Sequence, residues 1–155
     1  MKKALLVVLA CLYLLSLHAY YVGFFNDDAF YIIGARSLLQ GAYRELNAPG
    51  NPPLVNYLPG YPLLLALVTW MFGGSLIAYQ LFSVVLTLAS VWLVWLCFYG
   101  EVPAEALVAA TAVFGFNPLT VSLSGTVLSD IPYLCGTLLV VWAARKAMRL
   151  ARRDP

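Results

Sequence analysis

Five uncharged runs, at residues 4–25, 58–73, 76–100, 106–129 and 131–144, occupy most of this 155-residue chain. Several approach the roughly 20 residues that a helix needs to cross about 30 Å of hydrocarbon. No other feature narrows the choice of fold as sharply. Only 10% of the residues are charged and 63% are hydrophobic, whereas about 25% charged residues is usual for a soluble globular domain. The expected fold class is therefore an all-α integral membrane protein.

Charge placement sets the expected topology. Lys2 and Lys3 lie at one end, and Arg145, Lys146, Arg149, Arg152 and Arg153 at the other, accounting for seven of the nine basic residues. Basic residues beside apolar spans favour the cytoplasm, so both termini are expected there and the number of crossings must be even. One of the five runs must then fail to cross. Run 58–73 is the weakest: Pro59, Gly60 and Pro62 open it, Gly73 and Gly74 close it, and only Tyr61 to Phe72 is uninterrupted. So short a stretch reads as interfacial or re-entrant. Four transmembrane helices are expected, at about 4–24, 76–99, 104–122 and 131–148, in a single membrane domain covering 1–155. The first external loop then spans 25–75, and the second is very short and ends at Asp130.

The N-terminus has a rival reading. Met-Lys-Lys followed by Ala4–Leu17 resembles a signal peptide, with Ala19 a poor cleavage site; a retained first span is preferred. Cys11, Cys97 and Cys135 all fall within expected spans. An odd number so placed argues against a disulfide framework or a metal cluster. His18 is the only histidine and reads as a packed or interfacial residue.

The long loop carries the polar features. Asp27 and Asp28, two of seven acidic residues, follow the first span directly, and carboxylates at a bilayer edge are costly to keep. The alternative is a solvated turn in which Asn26, Asp27 or Asp28 caps the next helix. That helix is expected to end at Gly41 and to lie on the membrane surface. Ala48-Pro-Gly-Asn-Pro-Pro53 is a turn-rich linker. A second interfacial helix then starts within Tyr57-Leu-Pro-Gly-Tyr-Pro62, with prolines in its first turn. The two helices should roof the external membrane face.

Three segments together resemble a family: Asp27-Asp28-Ala-Phe-Tyr with Ala35-Arg-Ser-Leu-Leu-Gln-Gly-Ala-Tyr43; Tyr57-Leu-Pro-Gly-Tyr-Pro-Leu-Leu-Leu-Ala66 with Phe72-Gly73; and Asn117-Pro118 with Ser124 and Ser129-Asp130-Ile-Pro-Tyr133. They are similar, in order and placement, to the first and second external loops of GT-C glycosyltransferases. These membrane enzymes take a sugar from a polyprenyl-phosphate carrier. The bacterial branch related to protein O-mannosyltransferases and to aminoarabinose and lipopolysaccharide-core transferases is the most alike. The family core has about seven spans. The resemblance thus implies a partial module, the N-terminal part of such an enzyme: a fragment, a truncated gene product, or a split subunit whose missing spans a second polypeptide carries.

The resemblance also implies roles. Transfer from a lipid phosphate needs a base for the acceptor hydroxyl and positive charge for the leaving phosphate. Asp27 takes the position of the catalytic carboxylate. Asp28 and Asp130 take positions that hold a divalent metal, Mg²⁺ or Mn²⁺, although an aspartate before Ile-Pro is also an ordinary helix cap. Arg36 and Arg44 are candidates for the donor phosphate, or snorkel to headgroups. Tyr57 and Tyr61 are sugar contacts or interface anchors. The expected partners are the lipid bilayer and a polyprenyl-phosphate sugar, not nucleic acid, and the expected location is the plasma (inner) membrane with the acidic loops outside. A non-catalytic subunit that binds the lipid carrier is the alternative. A small transporter or channel fits less well, because the spans offer only isolated Ser and Thr, Gln80 and His18.

Overall fold

The computed structural model describes residues 3–151, and every regular element in it is helical. Lys2, Arg152 and Arg153, used above to orient the chain, lie outside the described residues. In chain order the helices are α1 (Lys3–Leu15), α2 (Asp27–Leu39), α3 (Gly60–Phe72), α4 (Leu76–Phe98), α5 (Ala104–Phe116), α6 (Pro118–Ser124) and α7 (Asp130–Ala151). Among the described residues α4 alone is, as one continuous helix, long and apolar enough to cross a membrane. The pair α5 and α6 passes the same test together but is bent by 55°.

Two expected spans differ in helical extent from what is observed, and α7, where the fourth was expected, is helical but is not among the helices apolar enough to cross. The apolar run at 4–24 is helical only to Leu15, and residues 16–26 turn back irregularly. The Ser16 hydroxyl takes the Tyr13 carbonyl at 2.9 Å, and Gly23 adopts a φ of 98°, open to glycine and strained for other residues. The expected span 104–122 breaks at Asn117. Pro118 has no N–H to continue α5 and instead occupies the first position of α6, while Asn117 Oδ1 accepts from the Leu119 N–H at 2.9 Å.

The two loop helices form as expected from their punctuation. α2 ends before Gly41, whose φ is 77°, and α3 opens after Pro59 and ends at Gly73. They pack on each other through a cluster that includes Tyr31, Ile32, Ala35, Tyr61, Leu65 and Ala66, closed by Tyr79 of α4 and by Val127. Gly34 lets the linker come close: a Cβ there would sit 3.0 Å from the Tyr43 ring, 3.1 Å from Leu54 and 3.2 Å from Pro62.

α4 is the hub, touching α1, α3, α5, α6 and α7. Its buried face carries Gln80, Ser83, Thr87 and Ser90, spaced three, four and three apart and hence on one side of the helix. Thr87 and Ser90 satisfy their hydroxyls on their own helix, on the carbonyls of Ser83 and Leu86. Gln80 and Ser83 reach outward. Gln80 Nε2 donates to the His18 carbonyl at 2.9 Å and to that of Gly125 at 2.8 Å. Ser83 Oγ donates to the Thr126 carbonyl at 2.8 Å. These bonds satisfy backbone carbonyls where the chain leaves helical structure among apolar neighbours, where an unpaired carbonyl is expensive.

Gln80→Leu keeps the volume and strands two carbonyls. It is expected to lower the unfolding free energy in detergent by about 1–2 kcal/mol. Ser90→Ala, equally buried but bonded only within its own helix, should be close to neutral. Equal effects of the two variants would remove the distinction between the outward and the self-satisfied half of the stripe.

Candidate functional site

A cavity of about 790 Å³ opens where the three singled-out segments meet. Its walls are Tyr31 of α2, the entry to α3 (Asn56, Tyr57, Leu58, Gly60, Tyr61, Leu64) and the start of α7 (Ser129, Asp130, Pro132, Tyr133). The α2 wall is joined to the α7 wall by a hydrogen bond of 2.9 Å between the hydroxyls of Tyr31 and Ser129, 98 residues apart in sequence.

The aromatic side chains order the wall. Tyr57 stacks on Phe30 with centroids 4.8 Å apart and meets Tyr31 edge-on at 5.3 Å. Tyr31 in turn meets Tyr61 edge-on at 5.0 Å. Such offset and edge-to-face contacts fix ring orientations. The Tyr43 hydroxyl holds the backbone behind this wall by donating to the Tyr57 carbonyl at 2.8 Å.

Asp27 is half-buried and does not itself line the cavity; it is reached through Tyr57, whose hydroxyl donates to Asp27 Oδ1 at 2.8 Å. That bond is the main reason the Tyr57 phenol is pushed up to about 12 from 10.0, with burial adding to it. Asp28 points elsewhere. It is fully buried, and Oδ2 accepts from the Gly23 N–H at 2.8 Å, so it braces the turn before α2 instead of capping the helix. Oδ1 of Asp28 and the hydroxyl of Tyr61 are buried without a hydrogen-bond partner among the described residues. A buried polar atom left so costs about 1–3 kcal/mol.

The remaining candidates are dispersed. Asp130 is exposed at the first position of α7, on the cavity rim. Arg36 is exposed near the far end of α2, its guanidinium 3.5 Å from where a Cβ on Gly74 would lie. That is nine residues beyond Asp27, or about 13 Å along the axis. Arg44 is exposed in the linker, its backbone N–H bound to Ser37 Oγ at 2.8 Å. Neither arginine lines the cavity. Asp28 and Asp130 do not come together with a third ligand either: no group of three or more His, Cys, Asp or Glu suited to a metal occurs among the described residues. Carboxylates alone therefore do not make the six-oxygen shell a hard cation favours.

Tyr31, Asn56, Ser129 and Tyr133 received no role from sequence. Tyr31, Ser129 and Tyr133 lie inside the motifs described above and Asn56 directly precedes one; Tyr31 is four residues after Asp27, on the same helix face.

Because the Tyr57 phenol titrates higher in the folded protein than its ordinary 10.0, its bond to Asp27 stabilises fully below pH 10 and is lost as the pH rises through about 12. Tyr57→Phe should therefore unfold more easily than the parent at neutral pH, with the difference shrinking above pH 10. Unfolding at stepped pH measures this; a difference that stays constant to pH 12 would assign it to packing instead. No family model, no curated protein and no solved structure matches this chain.

Proposed function

We propose that the chain is a multi-pass membrane glycosyltransferase module, working on the external face and taking its sugar from a polyprenyl-phosphate donor. The supporting observation is the cavity: segments from the start of α2, the entry to α3 and the start of α7 wall one space of about 790 Å³. These are the segments whose residues resemble the GT-C loops. In this reading Asp27 is the base. It takes the proton of an acceptor hydroxyl as the oxygen attacks the anomeric carbon, and the bond to the carrier phosphate breaks on the opposite face, inverting that centre. Tyr57 releases or reorients its hydroxyl when the acceptor arrives, and the Tyr61 side chain forms part of the wall against which the sugar rests. Gly60 and Tyr61, which open α3 and line the cavity, carry helix-start N–H groups without intrahelical partners, a setting that favours an anion. They do for the phosphate what Arg36 and Arg44 were expected to do. Asp28 stabilises the turn that aims Asp27.

A second reading has its own observation. With both arginines away from the cavity and Asp27 already engaged by Tyr57, the cavity suits holding a lipid-carrier headgroup without transferring its sugar. The protein would then be a non-catalytic subunit. Both readings leave room for a second polypeptide that completes the site.

Topology is tested with reporters inserted into exposed turns. Those at Gly50 and Gly74 should report the outside and one at Gly100 the cytoplasm; a cytoplasmic Gly74 would mean that α3 crosses and would overturn the four-span arrangement.

Activity is tested by label transfer from a panel of polyprenyl-phosphate sugars in membranes, with and without neighbouring spans supplied in trans, and with and without Mg²⁺ or Mn²⁺. Asp27→Asn should lower transfer by at least about 10²-fold, with expression and carrier binding unchanged. Binding that persists in the parent without any transfer supports the carrier-binding subunit, and near-normal transfer by Asp27→Asn removes that residue as the base.

A further inference from the structure

The far end of α7 carries a second, separate feature. Arg145 and Arg149, one turn apart, both donate to the Glu101 carboxylate in the link between α4 and α5. Beside them the Arg145 guanidinium lies 5.2 Å over the Phe98 ring, and the Lys146 ammonium 5.1 Å over that of Trp142. Cations held over aromatic faces in this way hold their position with little loss of charge. Between the link and α7 opens a groove of about 470 Å³, lined by Glu101, Val141, Ala144, Arg145, Met148 and Arg149. It lies fifteen residues beyond Asp130, about 22 Å along α7, so it shares no wall with the cavity above.

Two guanidiniums face one carboxylate, which leaves the groove net positive. The pairing leaves the side chains of Arg145 and Arg149 30% and 49% exposed, so their outer N–H groups remain accessible. The rest of the lining, Val141, Ala144 and Met148, is apolar, and Val141 and Met148 are exposed. α7 packs along α4, the helix long and apolar enough to cross a membrane. A ligand for this groove therefore needs an anionic head of phosphate geometry and an apolar tail on the same side. Paired guanidiniums match phosphate oxygens better than ammonium groups do.

We propose that this groove is a binding site for an anionic phospholipid of the phosphatidylglycerol class. The phosphodiester sits between Arg145 and Arg149, and an acyl chain lies along Val141. Glu101 is the internal counter-ion: it keeps the arginines in place when the groove is empty and competes with the phosphate for them. The site depends on α4 lying in a bilayer and is independent of glycosyl transfer.

The full chain is purified in an uncharged detergent, and thermal shift and native mass spectrometry are followed during titration with phosphatidylglycerol, phosphatidylcholine or soluble glycerol phosphate. Phosphatidylglycerol should raise the melting temperature in a saturable way and remain bound in the gas phase, with phosphatidylcholine and glycerol phosphate far weaker. Removing each arginine should weaken binding about fivefold, so Arg145→Gln with Arg149→Gln weakens it more than either change alone. Arg149→Gln, which leaves the Arg145–Glu101 pair intact, is the variant read if the double change does not fold. Glu101→Gln should tighten binding by removing the competitor, a result that general attraction of a basic end to anionic lipid does not produce. Equal stabilisation by phosphatidylcholine overturns the proposal. So does unchanged affinity in Arg149→Gln, or glycerol phosphate binding as tightly as the lipid.

Discussion

The side-chain amide of Gln80 holds two irregular stretches, after α1 and after α6, against the central helix. A chain this apolar has few polar groups to spare, yet α1 ends early and α6 gives way to an extended turn. Each leaves carbonyls with no helical partner. Gln80 takes one from each stretch, Ser83 takes the next carbonyl at Thr126, and the Val127 N–H donates to the Tyr20 hydroxyl at 3.0 Å. The connection into α7 is thus tied at consecutive residues. Only because it is held can Ser129 meet Tyr31 and Asp130 reach the rim of the cavity.

The helical class and the helix at Leu76–Phe98 were legible in the uncharged runs, as were the ends of α2 and α3 in their glycines and prolines. The early end of α1 was not. Ser16, His18, Gly23 and Asn26 do interrupt the aliphatic pattern of α1, but none of them is charged, so a run defined by absence of charge passes straight over the place where helix becomes turn. The break at Asn117–Pro118 was available, since a proline cannot continue a helix without losing a bond, but the surrounding apolar run outweighed it. Gln80, Ser83, Thr87 and Ser90 looked isolated when counted singly; their spacing puts them on one face.

The site was legible as a set of segments and not as a set of contacts. Adjacent residues on a helix point about 100° apart, so Asp27 and Asp28 could not share a task. One meets Tyr57 and the other turns back to Gly23. The same arithmetic removes Arg36 from the cavity by distance along α2. Composition gave these arginines no alternative partner, whereas the far end of α7 carried a carboxylate-bound pair whose meaning depends on Glu101, 44 residues away from Arg145.

The bond between Tyr31 and Ser129 also has a meaning in time. Its partners are 98 residues apart, and a chain grows at about 5–20 residues per second, so the first partner waits roughly 5–20 seconds for the second. During that interval the aromatic wall of α2 and α3 has no opposite side. It is kept in shape by bonds that close early, from Ser37 Oγ to the Ala42 carbonyl and from Tyr43 to the Tyr57 carbonyl. Until residue 129 is made, the aromatic wall of α2 and α3 has no partner from α7, so a nascent chain stalled before that point carries these rings without the residue that closes over them.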